Sequence, residues 1–107
     1  MFESKMPSSG TFALRPAARA DLAKIWTDGV SSWGMDQADH YTDGLFALFD
    51  LLAAFPEMAR ERTEFSPPVR IHPNDAHLVI YRKEEQGIEI IRILHARQNL
   101  TAYLLEG

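Results

Sequence analysis

No cysteine occurs anywhere in the 107 residues. That absence removes disulfides, thiolate nucleophiles and cysteine-ligated zinc together. It suits a reducing cytoplasm, which is where we expect the chain to work. Long apolar runs are missing as well: none approaches the ~20 residues that span a bilayer, so no membrane partner is expected. The opening residues, MFESKMPSSG, contain no apolar segment of the kind a secretory signal needs. They are small, polar and broken by Pro7, so residues 1–10 are expected to be a disordered lead, with Met1 and Met6 both open as the start. Histidines at metal-ligand spacing are absent too. His40, His72, His77 and His95 form no H-E-x-x-H pair, and His72 and His77 are separated by a Pro-Asn turn, so no metal is expected. There is no glycine-rich phosphate loop and no G-x-S-x-G elbow, and no cofactor is implied.

An excess of basic charge is also lacking, since the formal net charge is −4. Up to Ala59 four basic residues (Lys5, Arg15, Arg19, Lys24) stand against eight acidic ones, and from Arg60 onward there are seven of each. The acid excess lies in the first half and most of the arginines in the second. Non-specific DNA binding works by neutralising phosphates, so direct DNA binding by this chain alone is not expected.

What is present is an ordinary folded composition, 46% hydrophobic and 24% charged. Residues 11–107 are expected to form one domain. A domain of this size buries a modest share of its surface, so its stability is expected to be marginal or to depend on a partner.

Residues 11–15 (TFALR) read as a short strand, and Pro16 opens a helix at the first-turn position that proline tolerates. Ala18, Leu22, Ile25, Trp26, Gly29 and Trp33 then recur at three- and four-residue steps, which makes one apolar stripe. Gly34 stops this helix. A second begins near Asp36, with Ala38, Tyr41, Leu45, Leu48, Leu52 and Phe55 as its stripe, and Pro56 ends it. So short a break makes the two an antiparallel hairpin, and close approach of its helices would account for Gly29 and Gly44. Residues 57–68 read as a connector. The period then changes to two, giving strands at 69–72, 76–83 and 88–95, with EEQG as the turn between the last two. The tail, residues 99–105, reads as a last helical turn or an edge strand. The order β-α-α-β-β-β predicts an α+β fold: an antiparallel sheet covered on one face by the helical hairpin.

Strict alternation puts His77, Val79 and Tyr81 on one face of their strand and Leu78, Ile80 and Arg82 on the other. In the closing strand it puts Ile88, Ile90, Arg92 and Leu94 on one face and Glu89, Ile91, Ile93 and His95 on the other. Arg70, His77, Tyr81, Arg82, Arg92, His95 and Arg97 thus form a polar patch on the sheet half. Two readings of it stay open. It is a phosphate- or RNA-binding patch with a histidine as acid or base, or it is structural, with arginines paired to Glu64, Asp75 or Glu89.

At this point the residues carry a resemblance. Ala18, Asp21, Leu22, Ile25 and Trp26, then Trp33-Gly34, then Gln37, Ala38 and Tyr41, resemble the hairpin of the ParE branch of the ParE/RelE superfamily. Arg70, the H-x-x-x-Y-R strand (His77, Tyr81, Arg82) and the I-x-I-x-R-x-L-H-x-R strand (Ile88 or Ile90, Arg92, Leu94, His95, Arg97) are similar to its sheet. The resemblance runs from Phe12 to about Leu100. It departs at Pro67-Pro68-Val69 and at Ala76, where the family usually has a glycine.

The resemblance implies the toxin of a type II toxin–antitoxin pair, of the kind associated with plasmid stabilisation and growth inhibition. It implies a ParD-like antitoxin from the adjacent gene, forming a hetero-oligomer by laying a helix and a strand into a groove between hairpin and sheet. Trp26, Trp33, Leu45, Leu48, Phe49 and Leu52 are expected in that groove. It implies DNA gyrase as the target, with Leu100, Tyr103 and Leu104 of the tail expected to touch it, and no catalytic residues. The alternatives are a ribosome-dependent mRNA endonuclease of the RelE kind, carried by Arg82, Arg92 and His95, or an inactive toxin that only binds antitoxin.

Overall fold

A computed structural model describes the backbone of residues 11–106 and the side chains of residues 11–103. The lead expected at residues 1–10, and the side chain of Leu104, lie outside the described residues. The elements are β1 (Thr11–Leu14), α1 (Pro16–Trp33), α2 (Met35–Ala54), a 3₁₀ turn (Pro56–Met58), β2 (Glu61–Arg62), β3 (Val69–Asn74), β4 (His77–Glu84), β5 (Gly87–His95) and α3 (Leu100–Glu106). The predicted β-α-α-β-β-β order is present, with β2 as an addition inside the connector.

Arg15 enters α1 in extended geometry, and Pro16 occupies the first turn, where its missing N–H costs nothing. Gly34 serves both helices. Its N–H donates to Val30 O, ending α1, and its carbonyl accepts from Ala38 N–H, starting α2. Its φ of 93° is one that a side chain resists. The two glycines inside the helices differ. A Cβ on Gly29 would stand 3.2 Å from Ala38 Cβ, so Gly29 is where the helices nearly touch. Gly44 has nothing within 4 Å of that position, and close approach does not explain it.

The five strands form one sheet in the order β1-β5-β4-β3-β2. β5-β4-β3-β2 is antiparallel as expected, but β1 pairs with β5 in parallel, Thr11 opposite Gly87 and Leu14 opposite Ile90. The sheet is therefore mixed at one edge. Its helix side is filled by Ala18, Leu22, Leu45, Phe49 and Leu52 from the hairpin against Val79, Tyr81, Ile88, Ile90 and Ile93. The far side is covered as well: Phe65, Val69, Ile80, Ile91 and Leu94 form a second small core, over which Leu100 and Tyr103 of α3 pack. Burial on both faces makes Val79, Ile80 and Tyr81 fully inaccessible in succession.

Strict alternation fails in β5, and a bulge is the cause. Tyr81 pairs with Ile90 and Ile80 with Arg92, which leaves Ile91 as an extra residue. Beyond it the faces exchange. Ile93 joins Ile88 and Ile90 on the helix side, while Ile91 and Leu94 turn to the far side. One inserted residue redirects every side chain that follows.

Candidate functional site

The structure separates the expected polar patch into parts with different duties. Arg70 donates to the Ala59 carbonyl at 2.7 Å, and Tyr81 hydroxyl donates to the Pro56 carbonyl at 2.7 Å. Both tie the segment after α2 to the sheet. Burial pushes the Tyr81 hydroxyl above the usual tyrosine range. Arg92 grips Asp21 of α1 with two bonds, 2.8 and 2.9 Å, and the same carboxylate accepts the Ile93 N–H at 2.9 Å. The Arg92 guanidinium also lies 5.0 Å from the Tyr103 ring centre. The backbone pairing of this edge of β5 ends with the Arg15 N–H, which donates to the Ile90 carbonyl at 3.1 Å, and Asp21 takes a backbone donor further along the same edge.

His77 and His95 face each other across β4 and β5 with ring centres 5.5 Å apart. His77 Nδ1 lies 2.7 Å from the Tyr41 hydroxyl, which also donates to the Asn74 carbonyl at 3.0 Å. Burial holds the His77 pKa below the usual range, His95 repels its charged form further, and Asp75 and Asp21 pull the other way. His95 serves the strand end: its Nδ1 accepts the Arg97 N–H and its own N–H donates to Gln98 Oε1. Arg97 is exposed.

Arg82, Arg92 and His95, the residues a nuclease would use, do not converge. In register Arg82 lies opposite Glu89, while His95 lies opposite His77, five residues further along β4. At ~3.3 Å per residue that is roughly 16 Å of strand. Arg82 and His95 also sit on opposite faces of the sheet, and Arg92 is engaged with Asp21. Among the described residues the arginine ion pairs are Arg15–Glu89, Arg62–Glu64 and Arg92–Asp21, only partly the set expected from sequence. Among the described residues no group of three or more histidine or acidic side chains is placed to hold a metal.

The expected groove residues need correction. Leu45, Phe49 and Leu52 are fully buried beneath the hairpin and have no surface to offer. Trp26 donates from Nε1 to Asp39 at 2.7 Å and so clamps α1 to α2. Trp33 is 64% exposed at the tip of the hairpin. The accessible apolar surface lies on the flank of α2 instead. Leu51, Phe55 and Met58 are exposed and Leu48 is half-buried, in line with the open space at Gly44. Neither hairpin helix packs extensively on β3, whose helix-side residues Arg70, His72 and Asn74 are only partly buried. Sequence reasoning assigned Phe55 to the buried stripe and passed over Leu51 and Met58. The available signal was the excess itself: six of the eight residues from Leu45 to Leu52 are Leu or Phe, more than one buried stripe uses.

Leu100 and Tyr103 are half-buried against the far-side core, so the tail covers the sheet rather than standing free.

The family model described as "ParE toxin of type II toxin-antitoxin system, parDE" matches residues 12–100. The chain belongs to the ParE toxin family. It is 36% identical over 93 residues to Toxin ParE1 of Mycobacterium tuberculosis, covering 86% of this chain and 95% of that protein. It is 34% identical over 93 residues to Toxin ParE1 of Caulobacter vibrioides, covering 87% and 96%. A solved structure titled "Chromosomal ParDE TA system from P. aeruginosa" has the same fold, with a TM-score of 0.69 at 20% identity, covering 82% of this chain and 97% of that one. Among the described residues no helix of this ParE family member is long and apolar enough to cross a membrane.

Proposed function

We propose that this ParE family toxin acts by binding, that its target is DNA gyrase, and that a ParD-like antitoxin neutralises it by laying an apolar helix along the flank of α2. The observation that carries the antitoxin half is the exposed row Leu51, Phe55 and Met58 beside half-buried Leu48. Water contact with a row of this size is unfavourable by ~1.5–3 kcal/mol for each large side chain left uncovered. An amphipathic helix with apolar residues at three- and four-residue steps would cover it. The partly exposed polar side of β3 would form the other wall, facing the partner's polar residues. Family membership and the fold shared with a ParDE system support the pairing.

Dispersal of Arg82, Arg92 and His95 favours a binding poison over a nuclease, because phosphoryl chemistry needs its charges and proton donor around one point. The test is a supercoiling assay with purified gyrase, scoring cleaved DNA complexes. Loss of supercoiling with trapped cleaved DNA, reversed by the antitoxin, is the expected result. Unchanged gyrase at large excess of folded toxin would overturn the target. If ribosome-dependent mRNA cleavage then appeared, the endonuclease reading would replace it, and if neither appeared, an inactive toxin would.

A further inference from the structure

The face of the sheet away from the hairpin carries a charge that no described residue pairs with. Arg82 of β4 lies in register opposite Glu89 of β5. Glu89 is held instead by Arg15, at 3.1 Å. Among the described residues Arg82 has no hydrogen bond or ion pair, although it is half-buried. Its neighbours in the same groove differ, for Arg15 has Glu89 and Arg92 has Asp21. A partly desolvated guanidinium with no anion has lost hydration and gained nothing in return. The groove has a volume of about 500 Å³, with an apolar floor of Val69 and Ile91 and walls that include Phe65, Pro67 and Tyr103.

We propose that this groove is a second docking site, which takes an extended segment of a partner protein. One carboxylate of the segment is seated on Arg82 and an adjacent apolar side chain on Val69, Ile91 and Phe65. A carboxylate matches the planar fork of a guanidinium with two parallel hydrogen bonds. The charge around it selects a peptide over a nucleic acid. Glu84 and Glu89 also line the groove. A chain of phosphates would bring repeated negative charge against both, whereas a peptide brings one carboxylate and apolar neighbours to an apolar floor. The site lies across the sheet from the α2 flank, so the two surfaces can be occupied together, and neither proposal rests on the other.

The test is a titration of the ¹⁵N-labelled chain with the blocked peptide acetyl-Thr-Val-Glu-Leu-Thr-amide, followed by NMR. Saturable shifts are expected at Val69, Arg82 and Ile91, with Leu51 and Phe55 unmoved. Binding should weaken about tenfold when the peptide's Glu becomes Gln, and by a similar factor in Arg82→Gln, with Arg82→Lys intermediate. Unchanged spectra outside the groove identify the variants as folded, and the Gln peptide tests the carboxylate with no change to the protein. Absence of saturable shifts in the groove, equal binding of the Glu and Gln peptides, or tighter binding of tetrauridylate at the same residues would overturn the proposal.

Discussion

Asp21 joins a helix to a strand through three hydrogen bonds, and removing it should be costly in a graded way. Its carboxylate takes two bonds from Arg92 and one from Ile93 N–H, all between 2.8 and 2.9 Å, joining α1 to the free edge of β5. The pair is largely but not wholly shielded, with 24% of the arginine side chain and 15% of the aspartate side chain exposed. Removing one partner of a fully buried pair costs about 3–5 kcal/mol, and solvent screening at this exposure brings the expectation for Asp21→Ala to roughly 2 kcal/mol. Asp21→Asn keeps an acceptor for the Ile93 N–H and one Arg92 N–H while losing the charge, so its cost should be about 1 kcal/mol. In a domain of this size the alanine variant should melt roughly 8–16 °C lower. Urea is the right denaturant, because guanidinium chloride would screen the interaction being measured. A loss under about 0.5 kcal/mol for alanine, or equal losses for alanine and asparagine, would refute the reasoning.

Phe55→Ala and Leu51→Ala should each weaken antitoxin binding by about 10–100-fold in calorimetry while leaving the melting temperature nearly unchanged, since both side chains are exposed in the free chain. Gly29→Val should destabilise by about 2 kcal/mol in urea titrations, because even a Cβ there stands 3.2 Å from Ala38 Cβ. Gly44→Ala should instead stabilise by about 0.5–1 kcal/mol, since that position opens to empty space inside a helix. His77 has its folded pKa lowered, first by burial and then by His95. The neutral form is therefore the one the fold prefers, and stability should fall as pH drops below the ordinary histidine value of ~6.5, levelling off only below the folded pKa. A series of urea titrations across that range should show the slope, and His77→Gln should flatten it.

Much of the fold was legible because its signals are local. Pro16, Gly34 and Pro56 punctuate the hairpin where the sequence places them, and the change of period after Pro68 marks the sheet. Three things were not local. The parallel pairing of β1 joins Thr11 to Gly87, and nothing in TFAL names its partner. The bulge at Ile91 changes which residues share a face, but a run of isoleucines reads the same in either register. The choice between the two apolar sides of α2 depends on where the sheet ends, so Phe55 read as core when it is surface. The polar patch was legible as a set of residue types and not as a set of neighbours. Arg92 and Asp21 are 71 positions apart, and no spacing rule connects them.

The placement of β1 beside β5 also bears on how this chain comes into being. A growing polypeptide emerges from its N-terminus, so β1 and the hairpin are made well before the strand they pack on. Ile88, Ile90 and Ile93 supply much of the helix-side core, and all three belong to the last long strand. No nascent chain that stops before β5 can close the sheet or cover Leu45, Phe49 and Leu52, and contacts of such long sequence separation form slowly. Closure of the helix-side core therefore waits until β5 has been made. During that interval the apolar side of the hairpin, Leu45, Phe49 and Leu52, has no sheet to cover it.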